Sequence, residues 1–125
     1  MMEKATFDDL IRLKLRKDEQ KEKPVEILVE SLGKNLVFTS PTRDQQLDFI
    51  GEVRKAGDIN NSYAAYRKLV YDCCPMLHDT KLHEKLGIVD PYDSVDVLFS
   101  PVEVMEIGDD IADAFMSAAK DIKNS

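Results

Sequence analysis

Apolar residues along the chain alternate between two spacings, and Pro, Gly and polar runs punctuate them. After Thr6, the residues Phe7, Leu10, Ile11 and Leu15 recur at helical spacing. Thr6 can cap that helix, with Asp9 three residues on as its acidic partner. The row fades into residues 14–23, a run of mixed charge that reads as a solvated helix end plus linker. Pro24 then marks a boundary. Val25, Ile27 and Val29 alternate as a strand does, Ser31–Asn35 is a turn containing Gly33, and Leu36–Thr39 is a second strand. This predicts a β-hairpin. Two strands alone are marginal in water, so the apolar face must lie on helices or join another strand.

Helical spacing returns after the hairpin. Ser40 and Pro41 predict a helix start, Ser as cap and Pro in the first position. Leu47, Ile50 and Val53 form its stripe with Phe49 alongside, and Gly57 stops it. Residues 58–62 read as a polar turn that caps a third helix, in which Ala65, Tyr66, Leu69, Val70 and Cys73 share a face until Pro75. Thr80–Leu86 is a short helix closed by Gly87. Ile88–Asp93 is a connector, and Ser94–Phe99 is another short helix, capped by Asp93 or Ser94. Ser100-Pro101-Val102-Glu103 is a full capping box for the last helix. Its stripe is Val104, Ile107, Ile111, Ala114, Phe115, Ala118 and Ile122. Glu103, Glu106, Asp110 and Asp113 line another face, with Lys120 and Lys123 at the far end, an order that suits the helix dipole. The expected class is α+β: an N-terminal helix, one β-hairpin, then a mostly α-helical domain of four to five helices. Residues 1–23 are expected as an N-terminal helix and charged linker, and residues 24–125 as a single domain.

Composition narrows the partners. The formal net charge is -7. Residues 1–23 hold seven Lys/Arg against six Asp/Glu, so the acid is concentrated in the remainder. Binding to a phosphate backbone needs clustered Lys and Arg, so nucleic acid is not an expected partner. An anionic membrane surface is disfavoured for the same reason. No apolar run approaches the length of a membrane span, and the first residues lack an apolar signal region. The two cysteines, Cys73 and Cys74, are adjacent, which rules out a disulfide framework and points to a reducing compartment. A cytoplasmic location is expected.

Candidate chemistry is sparse. Cys73, Cys74, His78 and His83 are zinc-type residues at the wrong spacing, because adjacent thiolates on a helix point about 100° apart. The acids at 109, 110 and 113 lie in an apolar-periodic helix rather than in a calcium loop. Asp93-Ser94 resembles the modified Ser of an acyl carrier, but Ser100-Pro101 interrupts the long helix such a Ser opens. There is no Gly-x-Ser-x-Gly and no phosphate loop. The expectation is a non-enzymatic protein without catalytic, cofactor or metal residues.

Four phrases carry a resemblance: the hairpin Val25–Phe38 with Leu32-Gly33-Lys34 at its turn, Leu69–Leu77, Lys85–Asp93 and Val97–Val104. In this order they resemble the tail assembly chaperones of long-tailed phages and prophages, in particular the XkdN-like family. The likeness covers about residues 25–119, and Val102 stands where that family's pattern leads one to expect Gly. The resemblance implies a protein that binds the tape measure protein and keeps it soluble during tail assembly in the bacterial cytoplasm. The tail tube protein is implied as a further partner and a homo-oligomer as an allowed state. The apolar residues that could contact a partner are Phe7, Leu10 and Ile11 on the first helix and Val104, Ile107, Ile111 and Phe115 on the last. The alternative class is an acidic carrier or adaptor, acyl-carrier-like, with Ser94 modified.

Overall fold

The structure is a computed structural model that describes residues 3–55 and 59–116. Helix α1 spans Phe7–Glu22. Strands β1, Val25–Val29, and β2, Lys34–Phe38, form one antiparallel hairpin. Helices follow as α2, Arg43–Lys55, α3, Ile59–Cys73, α4, Thr80–Leu86, α5, Asp93–Leu98, and α6, Pro101–Met116, with a 3-10 turn over Pro75–His78. The class is α+β, with the order of elements that the apolar spacing implied.

The hairpin pairs Ile27 with Leu36 and Val25 with Phe38 across the ladder. Directly opposed residues share a face, so these side chains, with Val29, form one apolar surface. Ile27, Val29, Leu36 and Phe38 are buried on it. Strand β2 begins two residues earlier than expected, because Lys34 and Asn35 pair with Val29 and Leu28. Gly33 makes the turn at φ +66, in the left-handed region, and its N–H donates to the Val29 carbonyl at 2.9 Å. Thr39 leaves the ladder. Its N–H donates instead to the Cys73 carbonyl at 2.8 Å, which ties the hairpin to the end of α3.

Helices supply the cover that two strands need. Leu69, Val70 and Cys73 of α3, Leu77 of the 3-10 turn, Val95 of α5, Phe99, and Val104, Ile107 and Ile111 of α6 close over the hairpin as one core. Burying each large side chain contributes about 1.5–3 kcal/mol. Helices α3 and α6 cross at a close approach set by Gly108. A Cβ on Gly108 would lie 2.3 Å from Cδ1 of Tyr66. The Tyr66 ring therefore occupies the space that any other residue would fill. Its hydroxyl donates to Asp109 at 2.7 Å, and its ring meets Phe49 edge-on at 5.2 Å.

Several local expectations are corrected. Helix α2 is capped by Thr42, not by Ser40: the Thr42 N–H donates to Gln45 Oε1 at 2.9 Å, and the Gln45 N–H to Thr42 Oγ1 at 3.1 Å. This reciprocal pair satisfies two end donors, whereas the Ser40 hydroxyl donates to the Pro41 carbonyl. The stripe of α2 is also turned. Leu47 and Ile50 face solvent, and Phe49 makes the contact with α3. Residues 59–62 belong to α3 rather than to a turn before it. The charged run from 14 is helical as far as Glu22, so the linker shrinks to Lys23 and Pro24. Gly57, Ala118, Lys120, Ile122 and Lys123 lie outside the described residues.

The start of α6 is a half box. The Glu103 N–H donates to Ser100 Oγ at 3.3 Å, as expected. The Glu103 carboxylate does not turn back to Ser100. It accepts from the N–H and hydroxyl of Ser31 in the hairpin turn, at 3.1 and 2.6 Å. The acid expected on a solvated face is thus a clamp between α6 and the hairpin.

Candidate partner-binding surface

The two sets of expected contact residues have opposite fates. Val104, Ile107 and Ile111 are buried in the core, and Phe115 packs against it. All four are engaged in the packing of the domain's own core. Phe7, Leu10 and Ile11 stand in solvent, joined by Leu13 and Leu15. Phe7 is 77% exposed and Leu10 60%.

Helix α1 is nonetheless well formed locally. The Thr6 N–H donates to Asp9 Oδ2 at 2.8 Å, and the Asp9 N–H to Thr6 Oγ1 at 3.2 Å. The Thr6 N–H first, and the Thr6 hydroxyl after it, hold the Asp9 carboxyl below the usual carboxylate range. Lys14 lies within the apolar face and is tied to Asp18 at 2.7 Å. That bond holds the Lys14 ammonium above its usual range. An apolar row of five large side chains on a capped helix is not covered by its own chain.

Zinc-type residues are spent elsewhere. Cys73 and Cys74 are both fully buried, and burial pushes the Cys73 thiol up to about 12. A metal needs the thiolate, which that environment disfavours. His78 stacks on Tyr71 with ring centres 4.3 Å apart and donates from Nε2 to the Tyr71 carbonyl at 2.8 Å. His83 donates to the Leu77 carbonyl at 2.5 Å. Among the described residues, no group of three or more His, Cys, Asp or Glu is placed to hold a metal ion.

Ser94 neither caps α5 nor faces solvent. It is fully buried, and its hydroxyl donates to the Pro91 carbonyl at 2.7 Å. Its neighbour Asp93 pairs with Arg67 of α3 at 2.9 Å. Arg67 also reaches Asp96 at 3.1 Å and the Tyr92 carbonyl at 3.2 Å. The Tyr63 hydroxyl donates to the same Asp96. The acids around Ser94 thus fasten α5 to α3.

A cleft of about 380 Å³ lies between α2 and α3, lined in part by Phe49, Leu69 and the acids Asp48, Glu52 and Asp72. Lys68 bridges it to Asp48 at 3.5 Å. The sequence reading missed this cleft because it assigned the opposite side of α2 to the domain. Leu47 and Ile50 are consequently a second exposed apolar row. No helix among the described residues is long and apolar enough to cross a membrane. No known protein family, curated protein or solved structure matches the chain.

Proposed function

We propose that this chain is a non-enzymatic tail assembly chaperone that binds the long helical tape measure protein and keeps it soluble. The observation that supports the reading is the α1 row. Phe7, Leu10, Ile11, Leu13 and Leu15 are exposed on a capped helix, beside a domain that has buried its other long stripe. A large apolar row with a charged rim suits an amphipathic helical client, which would lay its own apolar face against it. The acidic remainder of the chain keeps such a complex dispersed. The alternative of an acyl-carrier-like protein is disfavoured by the buried, hydrogen-bonded hydroxyl of Ser94, which a modifying enzyme would have to reach.

The test is co-expression with the long coiled-coil product of the neighbouring tail gene. The expected result is a soluble complex that survives gel filtration. The variant Phe7→Ser with Leu10→Ser is expected to lose it without lowering the melting temperature, since neither residue lies in the core. A client equally soluble with and without this protein would overturn the proposal.

A further inference from the structure

Two mid-helix glycines pose the same question and receive different answers. Gly in a helix interior costs roughly 1 kcal/mol against Ala, so each asks for a compensating contact. Gly108 has one, because the Tyr66 ring fills its Cβ position. Gly51, in the middle of α2, has nothing within 4 Å of where its Cβ would be. It lies beside Leu47 and Ile50, which are exposed. The outer side of α2 is therefore low in the middle and apolar, as a surface that receives another helix would be.

The charges say which helix. Along the outer line of α2 stand Arg43, Leu47, Ile50 and Arg54, all exposed. Along one edge of the α1 row stand Asp8, Ile11, Leu15 and Glu19, also all exposed. Each line is charge, aliphatic, aliphatic, charge, and both end pairs are eleven residues apart. That spacing is about 16 Å on either helix. One line is basic at both ends and the other acidic at both ends. Lys14, between the α1 edges, is already neutralised by Asp18. Within one chain both lines remain open to solvent.

We infer that α1 of one copy packs along the outer line of α2 in a second copy, and that the contact is reciprocal, so that two chains exchange their first helices. A two-fold pair makes the contact twice, each row covering its complement. The connector favours exchange over folding back. It is only Lys23 and Pro24, and Pro fixes its own φ and keeps the preceding residue extended. A short, stiff connector beside an uncovered helix is the arrangement from which helix exchange arises. The exchange uses Ile11 and Leu15 and leaves the Phe7, Leu10 and Leu13 edge open, so it requires no client.

The test uses the purified full chain alone, by sedimentation velocity across a concentration series. The wild type is expected to form a dimer. Arg43→Glu with Arg54→Glu is expected to run as a monomer, and so is Asp8→Lys with Glu19→Lys. The chain carrying all four changes is expected to return to the dimer, because both signs are then reversed. These positions are exposed, and unchanged far-UV circular dichroism and melting of the monomeric variants would show that they fold. A wild type that stays monomeric throughout, including one whose α1 amides are protected by packing on its own α2, overturns the inference. So does a fourfold variant that remains monomeric, or a dimer indifferent to either pair of reversals. Loss of client binding with an intact dimer would bear on the chaperone reading alone.

Discussion

Replacing Gly108 by Ala tests whether the α3–α6 crossing is as tight as its geometry says. The added methyl would sit 2.3 Å from Tyr66 Cδ1 and 3.1 Å from Cε1. Carbon atoms in contact prefer about 3.5–4.0 Å, so the ring or a helix must move by more than about an ångström. The ring cannot swing freely, since Asp109 holds its hydroxyl at 2.7 Å and Phe49 abuts its edge. Forcing a methyl into a packed crossing costs about 1–3 kcal/mol. Against this stands the gain from helix propensity, about 0.8–1 kcal/mol for Gly to Ala. An approach of 2.3 Å puts the strain in the upper part of that range, about 2–3 kcal/mol. The net expectation is therefore destabilisation by about 1–2 kcal/mol, which for a chain of this size lowers the melting temperature by about 4–8 °C. Urea denaturation and thermal melting read it directly. The decisive comparison is the same change in a Tyr66→Leu background. With the ring gone the strain should vanish and the propensity gain remain, so the substitution should turn neutral or stabilising. A Gly108→Ala protein as stable as the wild type, or the same loss in both backgrounds, would refute the reasoning.

Two further outcomes follow from single contacts. Glu103→Gln leaves one carbonyl oxygen where Ser31 now uses two carboxylate oxygens, and should cost about 0.5–1.5 kcal/mol. Amide exchange should quicken in the hairpin turn around Ser31 while the middle of α6 keeps its protection; equal quickening in both would argue against a local clamp. At alkaline pH, Tyr63 and Tyr66 should ionise late. Burial first, then the hydrogen bonds to Asp96 and Asp109, push both phenols up to about 12 from an ordinary 10. A pKa raised in the fold means that the unfolded chain releases its protons first, so the stability these groups contribute is whole below pH 10 and is lost as pH climbs towards 12. Phenolate absorbance should show all four tyrosines titrating above the ordinary range in the folded protein, with Tyr63 and Tyr66 at about 12, and none late in urea; four ordinary titrations in the folded state would contradict the geometry.

Short-range signals were legible where the chain satisfies them nearby. Thr6 and Asp9 make the reciprocal cap their spacing implies, Gly33 and Gly87 take the positive φ that closes a turn and a helix, and Ser94–Phe99 is helical apart from its last residue. The misses share one cause: a local rule names what a residue can do and not which partner it meets. Glu103 had a local acceptor role available at Ser100, and lost it to Ser31, which is 72 residues away and presents two donors at once. Ser40-Pro41 and Thr42-x-x-Gln45 are overlapping helix starts, and the one that satisfies two orphan amides prevailed. Gly108 carries no local signal of its role, which is set by the Tyr66 ring packed over it.

The same cause explains the candidate surface. Periodicity identified apolar faces on α1, α2 and α6 without ranking them. Only the three-dimensional packing separates the α6 face, which closes the core, from the α1 and α2 faces, which do not. A face that is apolar by spacing, capped, and left open carries a cost in solvent that the chain does not offset internally. On α2 that cost is compounded by a mid-helix Gly with open space above it. One contact between copies accounts for the two lines of opposite end charge at equal spacing: it covers Ile11 and Leu15 of α1 with Leu47 and Ile50 of α2, explains the glycine as well, and leaves the Phe7, Leu10 and Leu13 edge to a client.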